Sequence, residues 1–326
     1  MNRSRIVVLD GYTLNPGDNP WEAIVALGEL DVRDRTPVDQ LLERSRDADV
    51  IVTNKAPLSA QTIARLPKLR FIAVTATGYN VVDIDAAAAR GITVSNVPEY
   101  GTSAVAQYTF AMILELCHRI GQHADSVHRG EWSRNADWCY WLTPQVELAG
   151  LTMGIVGFGR IGRRVGELAH AFGMRVLAHS PKQVNPPGYT PFAWAASLDE
   201  LAGEADVLSL HCPLTSANQG MVNRSLLGRM KPTALLINTA RGALVNEQDL
   251  ADALNAGVIA GAAVDVVSHE PIRAENPLLA AKNCLITPHM AWTTLAARQR
   301  LMRTTAENIA AFLRGSPINV VNRPYR

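Results

Sequence analysis

The chain has 326 residues but only four cysteines, Cys117, Cys139, Cys212 and Cys284, widely spaced and without a CxxC pair. That spacing excludes a disulfide framework and the usual zinc patterns, so reduced, mainly buried thiols and no metal site are expected. A charge bias is also lacking. Thirty-one Lys and Arg face 30 Asp and Glu, which argues against nucleic acid or another polyanion as partner. No uncharged apolar segment reaches the roughly 20 residues that a membrane helix needs, and the uncharged stretch 183–198 carries three prolines. The apolar run after Arg3 and Arg5 is too short for a signal peptide and reads as a buried strand. A cytoplasmic protein with no membrane partner is expected.

What is present is a 48% hydrophobic, 19% charged chain, long enough for two domains with separate cores. Short apolar runs, RIVVLD, ELDVRD, DVIVTN, LRFIAVTA and GITVSNV, alternate with helix-length intervals over the first hundred residues. A second series starts at Leu151 with TMGIVGFG, MRVLAHS, DVLSLHC, TALLINTA, VIAGAAVDVV and NCLITPH, separated by helical patterns such as 160–172 and 247–256. Strands alternating with helices predict two parallel-sheet α/β units. Helical spacing of Val105, Phe110, Ile113, Leu114, Cys117 and Ile120 predicts a long helix over 103–129 between them. A last amphipathic helix, 295–314, is expected to return to the first unit and make it discontinuous.

GFGRIG, Gly157 to Gly162, follows an apolar strand and precedes RRVGELAHAF. In that context Gly157 makes a tight turn, Gly159 admits a pyrophosphate and Gly162 lets helix and strand pack closely, with the helix N-terminus facing the phosphates. An acid is expected about 20 residues on to hold the ribose hydroxyls. None occurs between Glu167 and Asp199; Ser180 takes that place, with Lys182 beyond it. A hydroxyl and an ammonium suit a 2′-phosphate, which a carboxylate would repel, so the pattern leans toward NADPH.

Three further strand ends carry chemistry. NTARG places Arg241 where a guanidinium can hold a carboxylate through two parallel hydrogen bonds. VDVVSHEP supplies Asp265 and Glu270, and TPHMAW supplies His289. A carboxylate beside an imidazole orients the ring and favours its charged form. His118, His123 and His128 do not share a helix face and read as packing or solvated residues. His269 adjoins Glu270 but neighbouring side chains on extended chain point apart.

GFGRIG, NTARG, DVVSHEP and TPHMAW, together with TATGYNVVDIDAAAARGITVSNVP and GTSAVAQYTFAMILEL, resemble the D-2-hydroxyacid dehydrogenase family over nearly the whole chain. TNKAPLS and TPHMAW are most similar to its glycerate dehydrogenase, or hydroxypyruvate and glyoxylate reductase, branch. The resemblance implies a Rossmann cofactor domain, 101–290, inserted into a discontinuous flavodoxin-like substrate domain, 1–100 plus 291–326. It implies Arg241 on the substrate carboxylate and keto oxygen, His289 as proton donor and Glu270 as its partner. Arg160 and Ile161 would cover the pyrophosphate, Cys212 and Pro213 border ribose and adenine, Thr239 and Ala240 line the cofactor side, and Asp265 meet the nicotinamide carboxamide. Thr77, Gly78 and Tyr79 would offer amides to the substrate carboxylate, with Lys55 nearby.

The resulting expectation is an NAD(P)H-dependent, homodimeric reductase of a small 2-keto acid, hydroxypyruvate or glyoxylate. A dehydrogenase of another D-2-hydroxyacid, such as lactate or a bulkier one, and a non-catalytic dinucleotide-sensing scaffold are the alternatives. The aromatic segment DWCYWLTP reads as core or subunit interface, or as Trp138 or Trp141 reaching a substrate pocket.

Overall fold

The computed structural model describes residues 3–322. Its contacts divide the chain into two compact units, Met1–Gly101 with Trp292–Arg326, and Thr102–Ala291. Among its described residues the first holds five strands: β1 Arg5–Val8, β2 Glu29–Val32, β3 Val50–Thr53, β4 Phe71–Val74 and β5 Thr93–Ser95. They pair in parallel in the order β2-β1-β3-β4-β5, which is the flavodoxin-like order.

The near-continuous apolar runs of these strands follow from burial on both faces. Side chains alternate along each strand, so Val7, Ile51, Ile72 and Val94 pack on one face with Leu41, Ile63 and Ala87. On the other face, Ile6, Val8, Val50, Val52 and Phe71 pack against Leu301, Met302 and Ile309. These last three belong to the helix Leu295–Leu313, and Phe312 at its end stacks on Phe71 with ring centroids 4.5 Å apart. Each such fully buried Leu, Ile or Phe contributes about 1.5–3 kcal/mol of transfer free energy.

The second unit has seven strands: β6 Thr152–Val156, β7 Arg175–His179, β8 Phe192–Trp194, β9 Val207–Leu210, β10 Leu235–Asn238, β11 Gly261–Val264 and β12 Cys284–Ile286. All pair in parallel, in the order β12-β11-β10-β9-β6-β7-β8. Counted within the unit this is the Rossmann order 3-2-1-4-5-6 with one strand added, and its switch point lies between β6 and β9. One face packs on Phe110, Ile113 and Cys117 of the helix Thr102–His118 and on Val165 and Ala169 of the helix Arg160–Ala171. The opposite face buries Leu201, Leu226, Leu250 and Leu254. Two doubly wound α/β domains are therefore present, one interrupting the other in sequence.

Three local expectations need correction. The single helix over 103–129 is two helices, Thr102–His118 and Ile120–His128, because Arg119 between them adopts the left-handed conformation, with φ of 47°. β8 lies in the uncharged stretch 183–198, where no strand is expected; it is a three-residue edge strand paired to β7 alone, too short to show a pattern. The thiols are free, but Cys139 is exposed rather than buried, and Cys212 and Cys284 are only partly covered. No helix among the described residues is long and apolar enough to cross a membrane.

Candidate active site

Parallel pairing sends the carboxyl ends of all seven strands of the second unit to one edge of its sheet, and the candidate residues of that unit lie there. The turn after β6 comes first. Gly157 has φ of +91°, and a Cβ on it would lie 2.7 Å from the backbone nitrogen of Cys212, in the segment after β9. A Cβ on Gly162 would lie 2.2 Å from the carbonyl oxygen of Gly157, so the helix Arg160–Ala171 starts directly against the turn. At Gly159 a Cβ would meet nothing within 4 Å. Open space therefore stands before the first turn of this helix, whose leading N–H groups have no intrahelical acceptor. That arrangement fits a dinucleotide pyrophosphate, with exposed Arg160 and half-buried Ile161 at the helix start.

Ser180 follows β7, and its Oγ accepts the Phe158 N–H at 2.8 Å, inside the glycine turn. The hydroxyl thus braces the turn and keeps its own proton to donate. Lys182 is exposed two residues on. After β9, the Asn218 side chain staples Cys212 to Thr215: its amide nitrogen donates to the Pro213 carbonyl at 2.8 Å, and its oxygen accepts the Thr215 N–H at 2.7 Å. Partial burial pushes the Cys212 thiol up from its ordinary value, which keeps it neutral.

The NTARG segment after β10 is organised by Asn238. This side chain is fully buried, donates to the Arg241 carbonyl at 2.9 Å and accepts the Ala240 N–H at 3.0 Å. Gly242 abuts the chain after β11 so closely that a Cβ would lie 1.9 Å from the Val267 carbonyl carbon. Arg241 itself is exposed, with Nη1 donating to the Ala240 carbonyl at 2.7 Å. The Thr239 hydroxyl lies 3.3 Å from that of Thr109.

The ends of β11 and β12 are joined by Asp265. Its carboxylate is buried and accepts the Thr287 hydroxyl at 2.6 Å and the Met290 and Ala291 amides at 2.9 and 2.8 Å. The His289 N–H donates to the Asp265 carbonyl at 2.7 Å, and His289 has φ of 53°, a conformation that costs on the order of 1–3 kcal/mol for a residue with a side chain. The loop thus holds His289 in a strained posture. Its Nδ1 lies 2.7 Å from Glu270 Oε2. With Nδ1 committed to the carboxylate, Nε2 is the ring nitrogen left to exchange a proton. His269 is turned elsewhere, its Nδ1 lying 3.0 Å from the Pro271 carbonyl.

Lys55, Thr77, Gly78 and Tyr79 belong to the first unit, after β3 and β4. Among the described residues no protein acceptor takes the amides of Thr77, Gly78 or Tyr79, and the turn is only partly covered. Its carbonyl side is pinned, with Thr77 O accepting the Asn96 side-chain amide at 2.7 Å and the Thr77 hydroxyl donating to the Val97 carbonyl at 3.0 Å. Three successive amides without an acceptor are suited to an anion.

Comparison with known proteins agrees with this geometry. Residues 110–291 match the model for the D-isomer specific 2-hydroxyacid dehydrogenase, NAD binding domain. The chain belongs to the D-2-hydroxyacid dehydrogenase family. It is 48% identical to a hydroxypyruvate reductase of Blautia hydrogenotrophica over 322 residues, covering 98% of this chain and 100% of that one. Identity to a glycerate dehydrogenase of Methylorubrum extorquens is 39% over 285 residues, 87% of this chain and 88% of the other. Among solved structures, an NADPH-dependent glyoxylate/hydroxypyruvate reductase from Sinorhizobium meliloti, in complex with NADP and malonate, superposes with a TM-score of 0.85 at 29% identity, covering 100% and 99% of the two chains. As a member of this family the chain is an oxidoreductase with an NAD(P)-binding domain.

Asn238 and Asn218 organise this dehydrogenase's strand-end loops without standing out as site residues in the sequence. For Asn238 the available signal was an Asn closing an apolar strand, a residue that bonds nearby backbone and shapes turns. His118 and His123 are likewise braces: the first lies 3.2 Å from Gln145 Oε1, and Nε2 of the second accepts the Leu142 N–H at 2.9 Å.

His211, next to Cys212, supplies a test of how this edge is built. Burial lowers it to about 3 from 6.5, and its Nε2 lies 2.8 Å from the Ser209 hydroxyl. It stays neutral when folded, whereas unfolding restores its ordinary value. Its stabilising contribution is therefore complete above pH 6.5 and is lost as pH falls from 6.5 toward about 3. Between pH 7 and 5.5, urea unfolding should show a loss about 1 kcal/mol larger for the parent protein than for His211→Gln. Equal losses would contradict the neutral state of the folded protein.

Proposed function

We propose that the protein reduces a small 2-keto acid, hydroxypyruvate or glyoxylate, to the D-2-hydroxyacid with NADPH preferred over NADH. The observation that carries this reading is the 2.7 Å pairing of His289 Nδ1 with Glu270, at the same sheet edge as the glycine turn and Arg241. A scaffold that only sensed the dinucleotide would have no use for a strained histidine held by a carboxylate. The hydroxypyruvate reductase at 48% identity over nearly the full length of both chains supports the substrate class.

The reduced nicotinamide, when bound, supplies the hydride for C2 of the keto acid. His289 gives its Nε2 proton to the carbonyl oxygen as charge develops there, and Glu270 holds the ring and balances the imidazolium. Arg241 binds the substrate carboxylate and keto oxygen and stabilises the developing oxyanion. The amides of Thr77, Gly78 and Tyr79, with Lys55, take the carboxylate. In the reverse direction neutral His289 removes the hydroxyl proton. Gly157, Gly159, Arg160, Ile161 and Gly162 hold the pyrophosphate, Cys212 and Pro213 border the ribose and adenine, and Thr239 and Ala240 line the nicotinamide side. Asp265 meets the carboxamide besides holding the His289 loop.

For the 2′-phosphate the donors are Ser180 and Lys182. Ser180 Oγ already accepts from Phe158, so its proton is available to a phosphate oxygen, and the related Sinorhizobium meliloti reductase is NADPH-dependent. We further assign this chain to a homodimer. Trp138 and Trp141 are 86% and 67% exposed, which excludes the core reading. Trp141 lines a surface groove with Ile120, Val127 and Tyr140, an apolar patch of the kind that subunit contacts cover.

His289→Ala should lower kcat by about 10²- to 10⁴-fold while the NADPH Kd, followed by cofactor fluorescence, stays within about threefold; a variant keeping most of its kcat removes the assignment. Ser180→Asp can still accept the Phe158 N–H but places a carboxylate against the phosphate, so the NADPH to NADH ratio of kcat/KM should fall about tenfold or more. An unchanged ratio would overturn the cofactor preference. In sedimentation velocity the parent should run as a dimer and Ile120→Glu shift toward monomer; a monomeric parent at micromolar concentration refutes the dimer.

A further inference from the structure

The loop that carries Lys55 is wrapped around an anion that the chain itself supplies. Asp10 follows β1, the sheet neighbour of β3. Its Oδ1 accepts the Asn54 N–H at 2.8 Å, and its Oδ2 accepts the Lys55 and Ala56 amides at 2.5 and 2.9 Å. Three consecutive amides converging on one carboxylate form a concave nest, a backbone shape that an anion stabilises. With Asp10 inside it, the negative charge is compensated locally by fixed dipoles.

The same loop is tied to the neighbouring strand end. Asn54 Nδ2 donates to the Thr75 carbonyl at 2.6 Å, the Thr75 N–H to the Thr53 carbonyl at 2.8 Å, and the Thr53 hydroxyl to the Ala56 carbonyl at 2.9 Å. Thr75 stands two residues before Thr77, whose carbonyl and hydroxyl are held by Asn96 and Val97. Asp10 thus sits at one end of a hydrogen-bonded web that runs across the carboxyl ends of β1, β3, β4 and β5.

We propose that Asp10 is a positioning residue for the substrate: it sets the Asn54–Ala56 loop, and through it Lys55, for the carboxylate of the keto acid. The inference rests on the reading that Lys55 and the Thr77–Tyr79 turn face that carboxylate. Asparagine cannot replace Asp10, since one of its two terminal atoms is a donor and would oppose an amide N–H. The effect belongs to substrate binding rather than to the proton or hydride steps, which lie with residues of the other unit.

The test is steady-state kinetics with hydroxypyruvate and NADPH on Asp10→Asn, Lys55→Ala and the double variant, with the NADPH Kd and melting temperature measured alongside. Asp10→Asn should raise KM by on the order of tenfold, with kcat and the NADPH Kd within about threefold of the parent. Lys55→Ala should also raise KM, and adding Asp10→Asn to it should raise KM by less than about twofold more. A KM for Asp10→Asn within about twofold of the parent, beside a raised KM for Lys55→Ala, overturns the inference alone. So does an Asp10→Asn effect undiminished in the Lys55→Ala background, which would mark a general structural role. An unchanged KM in Lys55→Ala overturns the substrate reading of this loop and the inference with it. Where Asp10→Asn does not fold, Asp10→Glu, which keeps the charge and shifts it by one methylene, carries the same comparison.

Discussion

Every strand pair in the seven-stranded sheet is parallel, and the chemistry of this protein depends on that constraint. Parallel strands end on the same side, so residues as far apart in sequence as Gly157, Arg241, Glu270 and His289 are delivered to one edge. Only short loops are then left to set their final positions. The loops do so with hydrogen bonds from polar side chains: Asn238 under Arg241, Asp265 under His289, Asn218 beside Cys212. A strained backbone at His289 persists because Asp265 accepts from several groups of the same loop at once, through its carboxylate and its carbonyl.

The turn after β6 shows how a motif can change one member and keep its geometry. Its glycines are dictated by close approach, at Gly157 to the backbone of Cys212 and at Gly162 to the turn itself. The acid usually found after the second strand of such a fold holds ribose hydroxyls. In this chain Ser180 accepts the Phe158 N–H of the turn. What differs is the charge: a neutral group with a proton to donate stands where such folds carry an anion, while the geometry of the glycine turn is kept.

Much of this was legible beforehand because both faces of the sheets are buried and the strands stand out as apolar runs between helix-length intervals. The strand-end residues were legible for the same reason, since Arg241, Glu270 and His289 each follow such a run. The break at Arg119 was not, because a single residue in the left-handed conformation leaves the apolar spacing on either side intact. β8 was hidden by its three-residue length and the prolines before it. The tryptophans of the segment 138–141 have the composition of a core and the exposure of a surface, and composition alone does not separate those. Cys139 was misread as buried on the same ground.

The sequence by itself determined the two α/β domains, the glycine turn and the candidate side chains at the strand ends, because periodicity and residue chemistry are local properties of the chain. Only the tertiary structure decided which nitrogen of His289 faces Glu270, that Ser180 braces the glycine turn, and that Asp10 anchors the loop of Lys55. Those are contacts between segments 19, 22 and 45 residues apart. Strand pairing brings them to hydrogen-bonding distance, and no local pattern encodes that.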